Sequence, residues 1–296
     1  MAAETNNIPE KNPERIKILE RIDEYERKGL WTMDVQDDPP TRLLEPGECD
    51  YLRKKLINKI KTRVTFKKVL QMIGQLSDAH QFILKGAVGD EKLAQFKKQG
   101  AIVTCNHFNA ADSFALDIVF DKYHGRCSKN PLRMTPGRKF LWRVIREGNY
   151  TSNPGIYTPL FQNCNTLPLA SSFAVMKEFM HALKTVLKRG EKVIVYAEQG
   201  MWVNYRKPRP LTPGAFRFAA ENNVPVIPVF ITMKDSEFFD GDGFPVQEYT
   251  VHVLEPIYAD KSKSLKENVE EMKENNYQQW KKCYEDTYGI PLTYLK

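Results

Sequence analysis

The sequence predicts an α/β protein built on a mixed or mostly parallel sheet flanked by helices. Two kinds of observation carry that expectation. Short, almost wholly apolar runs recur at 101–105 (AIVTC), 192–197 (KVIVYA) and 225–231 (PVIPVFI), and 249–254 (YTVHVL) reads as a fourth strand. Strands buried on both faces have this character. Between the runs lie stretches of helical period at 112–124, 172–189 and 214–223. Strands that alternate with helices bury each face of a sheet under a helical layer.

Each element has its own signal. In 172–189, Phe173, Met176, Phe179, Met180, Leu183 and Leu187 share one face, and Gly190 ends the helix. The helix at 214–223 follows Pro213 and Gly214. A charged C-terminal helix is expected over 263–285. Toward the N-terminus, residues 1–12 read as a loose tail. In 13–28, Ile16, Leu19, Ile22 and Tyr25 form one face of a helix that Gly29 closes. Residues 30–50 contain Pro39, Pro40, Pro46 and Gly47 and read as a linker or a loop packed on the surface.

In 51–84, Leu52, Leu56, Ile57, Ile60 and Val64 recur at near-helical spacing. Arg53, Lys54, Lys55, Lys59, Lys61 and Arg63 fill the gaps. Such a helix lies on an anionic bilayer or packs on the main domain with a solvated face, and both readings stay open. The expected division is an N-terminal tail, linker and basic helical module over 1–84, followed by an α/β domain with a C-terminal helix over 85–296.

Composition bounds the function. The 296 residues carry 44 Lys and Arg against 37 Asp and Glu, a formal charge of +7. This permits nucleic acid, an anionic membrane or phosphorylated small molecules as partners. No zinc-finger spacing or aromatic–lysine stripe supports nucleic acid. Cys49, Cys105, Cys127, Cys164 and Cys283 are scattered, without metal or redox spacing, and read as reduced thiols. No metal site and no bound cofactor are expected. The first 29 residues lack the apolar core of a signal peptide, and no apolar run is long enough to cross a bilayer. The expectation is a cytoplasmic protein, peripheral to the cytoplasmic face of a membrane.

The most informative stretch is 106–112, Asn-His-Phe-Asn-Ala-Ala-Asp, directly after the strand at 101–105. Open α/β sheets place their sites at such strand ends. His107 is the candidate general base, since a histidine accepts a hydroxyl proton near neutral pH. Asp112 either orients the imidazole or caps the next helix.

These residues carry a resemblance. Asn106-His107, four residues, then Asp112 resembles the first signature of the glycerolphosphate acyltransferase superfamily, in the manner of bacterial-type 1-acyl-sn-glycerol-3-phosphate acyltransferases. Glu198-Gln199-Gly200 after an apolar strand is similar to the third signature, Pro-Glu-Gly. The strand 224–229 (VPVIPV) is similar to the fourth. Order and spacing agree from about residue 85 to 260.

The resemblance implies an O-acyltransferase in lipid metabolism. His107, oriented by Asp112, would deprotonate the acceptor hydroxyl for attack on acyl-CoA or an acyl-carrier protein. The acceptor implied is a lysophospholipid, first of all lysophosphatidic acid. Asn106, Glu198, Gly200 and Lys139 are implied at the substrate site. Glu198 is expected to anchor a basic side chain or a backbone amide, because a carboxylate repels phosphate. Gly200 is expected to permit close backbone approach or a positive φ.

Arg206, Lys207 and Arg209 either reach the acceptor phosphate or belong to a solvated loop, and Arg138 or Arg143 would add charge. The second signature places an arginine just after a Gly-hydrophobic strand. The stretch read as its counterpart, 167–172 (LPLASS), has none. A different acylated acceptor (another lysolipid, an acyl amino acid or a glycolipid) is therefore the second reading. A non-catalytic lipid-binding scaffold is the third.

Overall fold

The computed structural model describes residues 9–37, 41–124, 141–151 and 157–296. Lys139, Arg138 and Cys127 lie outside these. A seven-stranded sheet forms the centre. Its strands are β1 (Ile83–Val88), β2 (Ala101–Thr104), β3 (Trp142–Arg146), β4 (Thr166–Leu169), β5 (Lys192–Val195), β6 (Val226–Phe239) and β7 (Pro245–Val253). Their order is β1-β7-β6-β2-β5-β3-β4. Every pairing is parallel except β6 with β7, so the sheet is mixed and mostly parallel, as the sequence predicts.

The helices are α1 (Pro13–Lys28), α2 (Leu56–Asp78), α3 (Asp112–Asp121), α4 (Glu147–Thr151), α5 (Tyr157–Asn163), α6 (Phe173–Lys188), α7 (Gly214–Asn222) and α8 (Leu265–Tyr288). Local chemistry sets several ends. The Asn12 side chain caps α1 with Pro13 in its first turn, and Gly29 at φ 65° closes it. Ser264 and Glu267 form a reciprocal capping box on α8.

The sheet buries two cores. On one face, Val103, Ile194, Ile227 and Val251 pack against α3 and the Phe66–Val69–Ile73 side of α2. All ten residues of α3 are buried. On the other face, Ile102, Val193 and Val226 pack against α6, α7 and the first half of α8. The described cysteines are buried thiols.

One expectation changes. Of the face chosen in 51–84, Leu56, Ile57, Ile60 and Val64 are exposed, and the buried side comes later, at Phe66, Val69 and Ile73. The first half of α2 therefore presents its apolar side chains to solvent among lysines. The stretch 30–50 follows the second of its two readings, a packed loop: Val35, Leu44 and Cys49 are buried.

The apolar face of α6 yields a contrast. Phe179 is fully buried, whereas Phe173 is 77% exposed under Lys177. Phe179→Ala is expected to cost about 3–5 kcal/mol of unfolding free energy. Phe173→Ala is expected to stay within about 0.5 kcal/mol of the parent. Urea unfolding of both variants, with equal m-values, checks the pair.

Candidate active site

The chain leaves β2 and turns sharply at Asn109, whose side chain accepts a hydrogen bond from Ala111 N at 2.8 Å. The turn brings Asp112, the first residue of α3, back over His107. Its Oδ2 lies 2.7 Å from His107 Nδ1 and accepts from Phe108 N at 3.3 Å. Asp112 is therefore not the helix cap; the N-cap position is Ala111. The buried carboxylate holds the proton on Nδ1 and leaves the Nε2 lone pair available. The His107 side chain is 21% exposed, enough to be reached from solvent.

Tyr196, the residue after β5, completes the arrangement. Its ring stacks on the imidazole with centroids 3.8 Å apart and 20° between planes. Its hydroxyl donates to Asp112 Oδ1 at 2.5 Å. Burial, then the charge of Asp112, pushes the phenol well above its usual range, so it remains a donor.

Glu198 holds the loop from the other side. Its Oε2 accepts from His107 N at 3.1 Å and from Arg209 Nη2 at 2.9 Å. Its Oε1 accepts from Arg209 N at 2.8 Å. The expected anchor on a basic side chain and a backbone amide is what the carboxylate makes. Trp202 N and Asn204 N donate to the carbonyls of His107 and Phe108, each at 3.0 Å. The 198–205 loop thus runs beside the His107 loop as a short ladder. A Cβ on Gly200 would meet Met33 O at 3.0 Å and Asp34 Oδ1 at 3.1 Å, so this glycine serves close approach. The positive φ falls instead on Gln199 (67°) and Asn204 (55°).

The remaining sequence candidates are employed within the protein. Asn106 is buried; its amide donates to Ile231 O at 3.0 Å and accepts from Ile231 N at 2.8 Å, as a further rung between β2 and β6 would. Arg209 is fully buried. It also donates to Trp31 O and Gly200 O and lies over the Trp202 ring. Lys207 Nζ lies 2.6 Å from buried Glu26, and Arg206 pairs with Asp235 and Gln247. Arg209 and Lys207 are thus turned onto buried carboxylates, whereas the Arg206–Asp235 pair stays at the surface, with 38% and 56% of the two side chains exposed. Arg143 is also turned inward, onto buried Asp117 at 2.6 Å. Trp202 packs with Tyr25, Trp31 and Val35.

One cation was not foreseen. Arg146 ends β3, and the β3–β5 register (Arg143 opposite Ile194), continued three places, sets it level with Ala197. It pairs with Asp34, yet keeps 43% of its side chain exposed. Two arginines in a five-residue strand disguise its apolar period. Among the described residues, no three His, Cys, Asp or Glu side chains converge as metal ligands would.

A family model described as Acyltransferase matches residues 87–232, just under half of the chain. Curated proteins give no match. Among solved structures, the chain is similar to the 1-acyl-sn-glycerophosphate (LPA) acyltransferase PlsC from Thermotoga maritima. That likeness has 17% identity, covers 77% of this chain and 83% of that chain, and has a TM-score of 0.47.

Removing one partner of a buried ion pair strands the other charge. Glu198→Ala is expected to lower stability by about 3–5 kcal/mol. Glu198→Leu combined with Arg209→Met is expected to recover much of that loss, because neither charge is then buried alone. Chemical denaturation of the three proteins checks this; a single variant as stable as the parent would show that the pair does not hold the loop.

Proposed function

From the match of residues 87–232 to the acyltransferase family model, we propose that the chain moves a fatty acyl group onto the free hydroxyl of a lysophospholipid. The donor is acyl-CoA or an acyl-carrier protein, and lysophosphatidic acid is the first acceptor to test. The observation that carries the reading is the His107–Asp112 pair beyond the carboxyl end of β2, with Nε2 left available.

The chemistry follows from that geometry. His107 Nε2 takes the acceptor's hydroxyl proton while the oxygen attacks the thioester carbonyl carbon. A C–O bond forms, and Asp112 stabilises the imidazolium. Collapse of the tetrahedral intermediate breaks the C–S bond, and the leaving thiolate recovers the proton from His107. The thioester is already activated, so no acyl-enzyme is required.

Arg146 is the side chain that best suits the acceptor phosphate. It is at the carboxyl edge beside the Glu198 loop, and its guanidinium offers the bidentate geometry that phosphate favours. Its partner Asp34 is partly exposed and can yield to a dianion. The internal engagement of Lys207 and Arg209 favours a second reading, a phosphate-free acylated acceptor on the same base.

Membrane association is part of the proposal. Residues 51–77 contain no Asp or Glu. Leu56, Ile57, Ile60 and Val64 are exposed among Lys54, Lys55, Lys59, Lys61 and Arg63. Apolar side chains beside cations suit an anionic headgroup layer. A cavity of about 1330 Å³ lies beneath this helix, lined by Phe66, Ile73, Phe82, Leu84 and Trp142, with Lys59, Arg63 and Lys67 also on its wall. It is roomy enough for an acyl chain and borders the strand starts, away from His107. No helix among the described residues is long and apolar enough to cross a bilayer.

Two measurements test these readings. Thiol release from acyl-CoA is followed with lysophosphatidic acid and with a phosphate-free lysolipid. His107→Ala is expected to lower kcat by about 10²–10⁴. Arg146→Ala is expected to raise KM for the phosphorylated acceptor about tenfold or more and leave the other acceptor unchanged. An Arg146 effect on both acceptors alike would refute phosphate recognition. Binding to anionic vesicles is expected to weaken with salt and with Ile57→Asp plus Ile60→Asp. Binding indifferent to both would remove α2 as the contact.

A further inference from the structure

Tyr196 is not among the residues that the sequence offered for this site, and its place on the strand and two contacts bear on what it does. The parallel register of β2 and β5 pairs Thr104 with Val195, so Tyr196 leaves its strand alongside Cys105, two residues before His107. From there its ring covers the imidazole at 3.8 Å and its hydroxyl reaches Asp112 Oδ1 at 2.5 Å. Asp112 Oδ2 is already taken by His107 Nδ1 and Phe108 N.

A carboxylate held through both oxygens cannot swing, and an imidazole covered on one face cannot tumble. One side chain thus restrains both members of the pair. We propose that Tyr196 is a positioning residue for the His107–Asp112 pair, whose ring fixes the imidazole plane and whose hydroxyl fixes and moderates the Asp112 carboxylate.

The hydroxyl and the ring have separable roles. A hydrogen bond to an ionised acceptor disperses part of its charge, and an O–H donor at this separation is among the stronger cases. Asp112 then holds a protonated imidazole less tightly than an undonated carboxylate would. The electron-rich face of the ring meanwhile accommodates the imidazolium once the proton arrives. A phenylalanine at this position would keep the ring's contribution and lose the hydroxyl's.

The other ionisable groups near the pair come from three sides. Cys105 precedes the loop, Tyr249 approaches from β7, and Arg143 on β3 acts on Tyr196 through its charge. Glu198, itself held by Arg209, meets the His107 amide. All of these remain in a Tyr196→Phe protein, so a change there reports the hydroxyl.

The kinetic consequence rests on the acyl-transfer reading, whereas the titration of His107 does not. Tyr196→Phe is expected to raise the midpoint of His107 titration, followed by NMR of the ring protons. The acid limb of kcat/KM moves to higher pH with it. At the pH optimum kcat is expected to fall about tenfold with both KM values unchanged, and Tyr196→Leu, which also loses the stack, to fall further.

An unmoved midpoint in folded Tyr196→Phe protein overturns the proposal, as does a rise in KM at constant kcat, which would make Tyr196 a substrate contact. Absence of turnover with every acceptor sinks the acyl-transfer reading alone, because the titration still decides this one. Should Tyr196→Phe fail to fold, uniform 3-fluorotyrosine labelling of the parent strengthens the hydroxyl as a donor. It is then expected to lower the His107 midpoint; no change overturns the proposal.

Discussion

Glu198 is the constraint on which the site depends. A buried carboxylate costs too much to leave alone, so it must find donors, and here they are His107 N, Arg209 N and the Arg209 guanidinium. Each bond ties a different stretch of chain. The first holds the loop after β2, and the second fixes the return of the 198–209 loop. Through Arg209 the third reaches Trp31, and through Trp202 the same knot reaches Met33. The imidazole gains a fixed backbone from this set before Asp112 and Tyr196 orient its ring.

The positive charge of the chain is unevenly employed. Cations near the site mostly neutralise internal carboxylates: Arg209 with Glu198, Lys207 with Glu26, Arg143 with Asp117. The first half of α2 has the opposite character. Its lysines and arginines stand among exposed aliphatic side chains, in a stretch free of acidic residues. Net charge alone would not have separated these two populations, since a count of Lys and Arg does not record which of them have found a carboxylate.

The strands at the middle of the sheet were legible because burial on both faces leaves an unbroken apolar run, as in β2, β5 and the start of β6. β1 and β3 were not. Ile83–Val88 carries Lys85 and Gly86, and β3 holds two arginines in five positions. An edge strand and a strand that delivers charge to a sheet end both depart from the pattern. His107 and Asp112 could be read from spacing after a strand. Tyr196 could not, because the residue after an apolar run reads as more of the same strand. The fate of Arg206, Lys207 and Arg209 was equally hidden, since Glu26, Glu198 and Asp235 come from three separate parts of the chain.

The knot around Arg209 also bears on modularity. The stretch that carries the family likeness, 87–232, does not coincide with a physical unit. Its buried guanidinium and indole need carbonyl oxygens from residues 31 and 33, and β6 needs β7 as its neighbour. α8 covers Phe230 with Trp280. Heredity and mechanics therefore draw their borders in different places. An excised family segment would keep its signature and lose its solvent-shielded interior, so a graft or chimera must take the flanking chain along as part of the machine.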